Sequence, residues 1–126
     1  TSFALIPADI DNTESTKTLV RSDGKIEMFV TKRDLTLEEK NNFSFGGEAI
    51  GFFKLSFENC KKFIEHYENF ESKYVELLWE IPLTDFAKSV DLSVWSITQG
   101  PGCFEIDTQD DYEQALLIFR KYRDSF

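Results

Sequence analysis

A glycine-rich and nearly continuous apolar run, residues 46–55, leads directly into a segment whose apolar side chains recur at helical spacing. Continuous apolar character of this kind is typical of a β-strand that is covered on both faces. The glycines would let another stretch of backbone, or a ligand, approach the strand closely. Ser56 is a typical helix N-cap. The helix after it would present one apolar side: Phe57, Cys60, Phe63, Ile64, Tyr67 and Phe70.

The segments on either side of this run complete an α/β pattern. Residues 17–21 look extended, residues 22–24 supply turn chemistry, and apolar and polar side chains alternate over 26–30, which predicts a β-hairpin. Residues 72–81 predict a second helix, ended or kinked by the proline that follows. Thr108 predicts the N-cap of a last helix, because acidic side chains follow it and basic side chains close that helix. The predicted fold class is α/β or α+β, with a mixed β-sheet flanked by helices.

Composition limits the classes of protein to which the chain can belong. Apolar residues make up 41% of the 126 residues and include thirteen Phe, so one domain spanning residues 1–126 can bury a core. The chain has 14 Lys and Arg against 23 Asp and Glu, a net charge of −9. Such a charge repels phosphate backbones and anionic lipid surfaces. No apolar run reaches the roughly 18 residues of a membrane-spanning helix. Nucleic acid and membrane are therefore not expected as partners.

The few cysteine and histidine residues exclude several kinds of site. Two cysteines are too few for a disulfide framework, and no basic, apolar leader opens the chain, so a cytoplasmic location is expected. There is no glycine-rich phosphate loop, and one His with two Cys cannot supply the four ligands of a zinc site. A dyad of Cys60 and His66 fails because six positions along a helix place two side chains about 240° apart. His66 is therefore expected to be a surface or partly packed residue.

Two carboxylates near the end of the chain form a candidate metal site. Glu105 and Asp107 are two positions apart in an extended segment, so both side chains point to the same face. They repel each other unless a cation joins them, and oxygen ligands at this spacing suit Mg²⁺. The alternative is an edge strand with a solvated acidic face, which leads into an ordinary helix cap.

The same segment resembles the closing motif of a known superfamily. Residues 105–115 read E-I-D-T-x-x-D-Y-x-x-A and resemble that motif in the nucleotidyltransferases, the sugar-phosphate and phosphocholine cytidylyltransferases with a glycosyltransferase-A-like fold. Three upstream motifs follow in the family's order: S-D-G-K-I (22–26) with V-T-K (30–32), G-E-A-I-G-F (47–52), and Y-V-E-L-L-W-E (74–80). Together they cover roughly residues 15–118. The resemblance implies a mixed sheet like the C-terminal half of such a domain.

The resemblance also implies roles for the residues at matching positions. Glu105 and Asp107 stand where the family places the carboxylates that bind Mg²⁺ near the nucleotide phosphates. Lys32 matches a basic residue that approaches the phosphoryl groups, which makes it the catalytic candidate. The alternative for Lys32 is a solvated loop lysine.

Three further residues match positions that the family uses to bind the acceptor. Glu48 matches a residue that faces the acceptor, and its alternative is a strand carboxylate in an ion pair. Trp79 and Glu80 could surround the acceptor, since an aromatic face and a carboxylate both attract a quaternary ammonium group. The alternative for Trp79 is packing in the core.

The activity that the resemblance implies is transfer of a nucleotidyl group. A phosphorylated acceptor would attack the α-phosphate of a nucleoside triphosphate such as CTP, with release of pyrophosphate. The motifs present are those of the acceptor and metal half, whereas the family's glycine-rich nucleotide loop has no counterpart in residues 1–126. The chain is therefore expected to be an incomplete, C-terminal part of a domain and inactive alone. A second copy or the missing N-terminal half would cover its exposed apolar surface. The alternative function is a non-catalytic regulatory or protein-interaction domain.

Overall fold

The computed structural model describes residues 2–97, 106 and 108–123. They belong to two compact units, Thr1–Ser96 and Ile97–Phe126, and each unit is described by itself. The first unit is a five-stranded mixed sheet with helices, and the described part of the second contains one helix. The predicted mixed α/β class is confirmed.

Three strands open the described part of the first unit, and a helix, a long strand, three helices and a last strand follow. In order they are β1 (Ser2–Ile6), β2 (Lys17–Val20), β3 (Ile26–Val30), α1 (Leu37–Asn42), β4 (Ser44–Lys54), α2 (Phe57–Asn69), α3 (Glu71–Tyr74), α4 (Glu80–Ala87) and β5 (Ser93–Ser96). The second unit contains α5 (Gln109–Tyr122). None of the described helices has the length and apolar character needed to cross a membrane.

The long strand β4 organises the sheet, whose strand order is β3-β2-β4-β1-β5. Its first half pairs antiparallel with β2 and its second half pairs antiparallel with β1. The hairpin β2–β3 extends the sheet on one side, and β5 lies parallel to β1 on the other. Because β4 pairs with both β1 and β2, the end of β1 and the start of β2 are both paired with the same residue, Glu48.

Local signals in the sequence place several elements correctly. The hairpin predicted over residues 17–30 is present as β2 and β3. The side chain of Ser56 caps α2 by accepting a hydrogen bond from the backbone N–H of Asn59, at 3.2 Å. Thr108 and Asp111 form a capping box at the start of α5, in which each side chain accepts from the other residue's N–H, at 3.2 and 2.9 Å. These predictions are confirmed because each depends on residues close in sequence.

Two details of the prediction are wrong. The helix predicted over residues 72–81 is divided into α3 and α4, and Pro82 lies in the first turn of α4 instead of ending a helix. Proline is tolerated there because the N–H groups of a first turn have no partner within the helix. Strand β4 is covered on both faces only in part, since residues 51–54 at its end are exposed.

The core lies between one face of the sheet and α4. Its buried side chains come from strands, from α4 and from the segment before β5: Phe3, Leu5, Ile26, Phe29, Ala49, Leu83, Phe86, Ala87 and Leu92. The backbone N–H of Phe29 donates to Oγ1 of Thr84 at 3.0 Å, which ties β3 to α4. Helix α2 reaches this core through Phe63, whose ring centroid lies 5.2 Å from that of Phe86, while Phe57 is exposed. No residue of α2 is fully buried. The predicted apolar side is half-buried at Phe63 and Tyr67 and exposed at its other members: Phe57, Cys60, Ile64 and Phe70.

Candidate functional site

A chain of hydroxyl groups links three segments that are far apart in the sequence. Thr16, just before β2, donates a hydrogen bond from Oγ1 to Oε1 of Glu80, at 3.1 Å. Oγ1 of Thr31, just after β3, lies 3.0 Å from Oγ1 of Thr16. Because Thr16 has one hydroxyl proton and gives it to the carboxylate, Thr31 is the donor to Thr16. The first turn of α4 is thereby joined to the start of β2 and to the end of β3.

Glu80 keeps one carboxylate oxygen unpaired inside the protein. The residue is 5% exposed, and among the described residues Oε2 has no hydrogen-bond partner. A buried acceptor without a donor costs roughly 1–3 kcal/mol, and more when it is charged. That cost disappears when a cation or a donor reaches the oxygen. In this structure Oε2 is enclosed by protein, and the observed hydrogen bond of the carboxylate is the one from Thr16 to Oε1.

Lys32 begins the loop that follows β3. Its side chain is exposed, and its φ of 53° lies in the left-handed region that residues with a Cβ rarely adopt. The next residue, Arg33, is held at two points. Its carbonyl accepts a hydrogen bond from Nζ of Lys17 at 3.1 Å, and its guanidinium donates to both carboxylate oxygens of Glu39, at 2.6 and 2.9 Å. The loop that carries Lys32 is thus tied to β2 and to α1.

The ion pair between Arg33 and Glu39 makes the stability of this loop depend on pH. The hydrogen bonds from Arg33 lower the pKa of Glu39 to about 2, below the value of about 4.3 for a free glutamate. Because the folded-state pKa is the lower one, the ion pair stabilises the fold above the unfolded pKa, and this stabilisation is lost as the pH falls toward 2.

The variant Glu39→Gln is expected to unfold more easily at pH 7 and to lose less stability than the wild type between about pH 4.5 and 2. Urea denaturation at a series of pH values measures both effects. The matched control is Glu38→Gln, which changes the exposed neighbouring carboxylate on α1 and is expected to keep the acid sensitivity of the wild type. Equal acid sensitivity of Glu39→Gln and the wild type would show that this ion pair does not stabilise the fold.

Glu48 lies at the centre of β4, where β1 ends on one side and β2 begins on the other. Its register partners are Ile6 of β1 and Lys17 of β2, and it is half-buried. The preceding residue, Gly47, has a φ of 121°, and a Cβ atom built there would lie 2.5 Å from the carbonyl oxygen of Ile6. The close approach of another backbone, expected from the glycine-rich run, is confirmed at this position. Glycine at 47 allows β1 to reach β4 beside Glu48.

Trp79 and Glu80 are consecutive, but they contact different parts of the protein. The ring of Trp79 is half-buried, with its centroid 5.6 Å from that of Phe29 and 6.5 Å from that of Phe53. Trp79 therefore packs against the aromatic side chains at the edge of the core, whereas Glu80 joins the hydroxyl groups of Thr16 and Thr31.

The two predicted metal ligands, Glu105 and Asp107, lie outside the described residues, as does Cys103. Within the part of the chain that the structure describes, no group of three or more His, Cys, Asp or Glu side chains is placed to hold a metal ion. The magnesium site stays a prediction. The capping box at Thr108, directly after Asp107, agrees with the helix that the motif predicts.

A second polar network ties α2, α3 and α4 together. Oη of Tyr74 donates to Oδ2 of Asp85 at 2.9 Å and lies 3.0 Å from Nε2 of His66, and Lys73 and Lys88 form ion pairs with Asp85. Burial and the Asp85 contact raise the pKa of Tyr74 to about 12. The hydrogen bonds from Lys73 and Lys88 hold the pKa of Asp85 well below its usual range. The network joins the three helices by hydrogen bonds and ion pairs, and His66 is partly packed as predicted.

The sequence pattern assigns no role to three residues that build this region: Thr16, Thr31 and Lys17. The two threonine hydroxyls meet because Lys17 and Val30 are register partners in the β2–β3 pair, which places the flanking residues side by side. In a hairpin the turn sets this register, so the predicted β2–β3 hairpin holds the signal that could have found the threonine pair. The burial of Lys17 is seen only in the structure: it stands in the strand K-T-L-V, whose four residues are all buried, and a buried lysine requires partners.

Comparisons with known proteins assign no family to the chain. No protein-family model and no curated protein sequence matches it. A function must therefore be inferred from the motifs and from the geometry of the residues around Thr16 and Glu48.

Proposed function

We propose that this chain forms the acceptor- and metal-binding part of a nucleotidyltransferase. The enzyme transfers a nucleotidyl group from a nucleoside triphosphate such as CTP to a phosphorylated acceptor, and pyrophosphate leaves. Its partners are these two small molecules, and its cofactor is Mg²⁺ at Glu105 and Asp107. Nucleoside triphosphates are cytoplasmic metabolites, so we propose the cytoplasm as the location.

The observation that carries the proposal is the convergence of residues from three separate motifs. Lys32 follows β3, Glu48 lies at the centre of β4, and Glu80 begins α4. Thr31, the residue before Lys32, and the carboxylate of Glu80 both contact the hydroxyl of Thr16. Lys17, the residue after Thr16, is the register partner of Glu48. The backbone segments that carry the three residues thus meet at the start of β2. Glu80 lies on the face of Thr16, which is the core face, whereas Glu48, as the register partner of Lys17, lies on the other face.

Lys32 supplies the positive charge that the reaction needs. Phosphoryl transfer is accelerated by positioned charges that neutralise the phosphoryl oxygens, and it needs no protein nucleophile. Lys32 is exposed and forms no hydrogen bond or ion pair with the described residues, so its ammonium group is free to reach a phosphate. The loop behind it is held by Lys17 and Glu39, which limits the positions that the ammonium can take.

Glu80 favours an acceptor that carries a positive charge. Thr16 holds Oε1 and so orients the carboxylate, while Oε2 is buried without a partner among the described residues. An ammonium group placed there would offset the cost of the buried negative charge. An acceptor with an ammonium group, such as phosphocholine, is therefore proposed ahead of a sugar phosphate, whose sugar carries no positive charge.

The proposal is tested by removing the predicted metal ligands in the protein encoded by the whole reading frame. Release of pyrophosphate is measured with CTP, Mg²⁺ and either phosphocholine or a sugar phosphate as acceptor. The double variant Glu105→Gln with Asp107→Asn is expected to lower kcat/KM by about 100-fold or more, because the metal neutralises charge that develops in the transition state.

Asp110→Asn is the matched control, since it removes a nearby exposed carboxylate from the first turn of α5 and is expected to leave kcat/KM unchanged within about twofold. Unchanged transfer in the double variant would show that the metal assignment is wrong. Absence of transfer with every acceptor tested would favour a non-catalytic regulatory or interaction domain.

A further inference from the structure

A groove lies at one end of the sheet, on the face opposite the core. It has a volume of about 460 Å³ and is lined by six residues: Ser2, Ala4, Phe52, Phe53, Lys54 and Trp95. The pairing explains this set except for Phe53, because register partners share a face of the sheet and Phe53 is the partner of the core residue Phe3. Ser2 pairs with Lys54, and Ala4 pairs with Trp95. Phe52 is two positions from Lys54 along β4 and therefore shares its face.

The groove has a floor of small side chains and two aromatic walls. Strand β1 runs between β4 and β5 and contributes Ser2 and Ala4 as the floor. Phe52 and Trp95 stand on the two flanking strands, so their backbones are about 10 Å apart, twice the spacing of neighbouring strands. A planar ring between these walls would lie about 5 Å from each wall, within the distance at which aromatic rings attract each other.

The two walls are open to a ligand. Phe52 is 70% exposed and Trp95 is 64% exposed, so filling the space between them would remove apolar surface from water. The volume lies within the range of about 300–1,000 Å³ that is usual for small-molecule sites.

Lys54 places a positive charge at the groove. It is the one charged residue among those that line the groove, and it forms no hydrogen bond or ion pair with the described residues. In a chain with a net charge of −9, an unpaired lysine beside two exposed aromatic rings attracts an anionic group.

We propose that this groove binds a planar aromatic ring that carries an anionic group. The ring lies between Phe52 and Trp95, and the anion contacts Nζ of Lys54. The inference is independent of the nucleotidyl-transfer proposal, since it uses none of the residues assigned to that reaction. Aromatic carboxylates, sulfonates and aryl phosphates share the chemistry that the groove recognises.

The test follows the two tryptophan side chains by NMR while 2-naphthoate is added to the chain. The protein has two Trp residues, so the ¹⁵N spectrum contains two indole N–H signals, and Trp79→Phe identifies which signal belongs to Trp95. A saturable shift of the Trp95 signal with little change in the Trp79 signal is expected. The neutral analogue 2-naphthalenemethanol is expected to bind up to about fivefold more weakly at low salt, because it lacks the contact with Lys54.

Variants of exposed residues separate this site from general apolar binding. Lys54→Met is expected to remove the preference for 2-naphthoate over the alcohol, and Phe52→Ala to weaken both ligands by about tenfold, as expected for loss of one stacking wall. Phe57→Ala, which removes an equally exposed ring from α2, is the control and should leave both affinities unchanged. The proposal is overturned if both indole signals shift together, if Phe57→Ala weakens binding as much as Phe52→Ala, or if Lys54→Met keeps the preference.

Discussion

Replacement of Gly47 by alanine is expected to lower the free energy of unfolding by about 4 kcal/mol, the combined cost of a strained backbone and an overpacked contact. The φ of 121° at this position is unfavourable for a residue with a Cβ. The added Cβ would also meet the carbonyl oxygen of Ile6 at 2.5 Å, closer than van der Waals contact allows. Backbone cannot move aside as a flexible side chain can, so the end of β1 would be pushed away from β4.

Urea denaturation followed by circular dichroism measures this loss. Gly51→Ala is the matched control because it lies in the same strand, also has a positive φ, at 74°, and has no atom within 4 Å of the added Cβ. It should cost only about 1–2 kcal/mol, the price of the left-handed backbone. If the two alanine variants were equally stable, the close contact between β1 and β4 beside Glu48 would be refuted.

Replacement of Lys17 by methionine is expected to lower the free energy of unfolding by about 3 kcal/mol. Lys17 is fully buried, and its Nζ donates to the carbonyl oxygens of Asn12 and Arg33, at 2.5 and 3.1 Å. Methionine keeps most of the apolar stem but removes both hydrogen bonds. The carbonyl of Asn12 still accepts from Oγ of Ser15 at 3.0 Å, whereas that of Arg33 loses the donor from Lys17, and a lost partner of this kind costs about 1–3 kcal/mol. The relief of a buried charge offsets part of this cost.

Thermal and urea unfolding of Lys17→Met report the change, and Lys62→Met is the control. Lys62 is exposed and, in the part of the chain that the structure describes, is paired only with Glu58 one helical turn away, a contact worth about 0.3–0.5 kcal/mol. A loss below about 1 kcal/mol in Lys17→Met would mean that water replaces the ammonium group at the two carbonyls. Loss of pyrophosphate release in a folded Lys17→Met protein would follow from misplacement of the loop that carries Lys32.

The two substitutions change residues that support the proposed site through different strands, Gly47 on β4 and Lys17 on β2. Gly47 permits the end of β1 to reach β4 beside Glu48, and Lys17 holds the loop that follows Lys32. Lys17 is the register partner of Glu48, and Gly47 is the residue before Glu48. Stability and the geometry of the site are therefore expected to change together in this part of the sheet.

The fold was predictable where the signals are local. Alternating polarity and a turn predict β2 and β3, and side-chain caps at Ser56 and Thr108 predict where α2 and α5 begin. The division of the segment around Pro82 was not predictable in this way, because proline is compatible with the first turn of one helix as well as with the end of another. Helical spacing over a few residues does not distinguish these two cases.

The candidate site was predictable only in part. The motifs select Lys32, Glu48 and Glu80 by type and order, but nothing in the pattern shows that Glu80 is buried with one oxygen unpaired. The packing of Trp79 against Phe29 and Phe53 likewise depends on contacts between distant segments. The predicted ligands Glu105 and Asp107 lie outside the described residues, so the metal site rests on the motif alone.

The amino-acid sequence was sufficient for the class of fold, the starts of two helices and the need for glycine near residue 47. Those features depend on periodicity, on side chains that reach their own backbone, and on the backbone conformations open to glycine. Only the tertiary structure decided that Thr16, Thr31 and Glu80 form one network, that Lys17 is buried, and that Phe52 and Trp95 line the same groove. These relations depend on strand order and register, which arise when segments distant along the chain pack together.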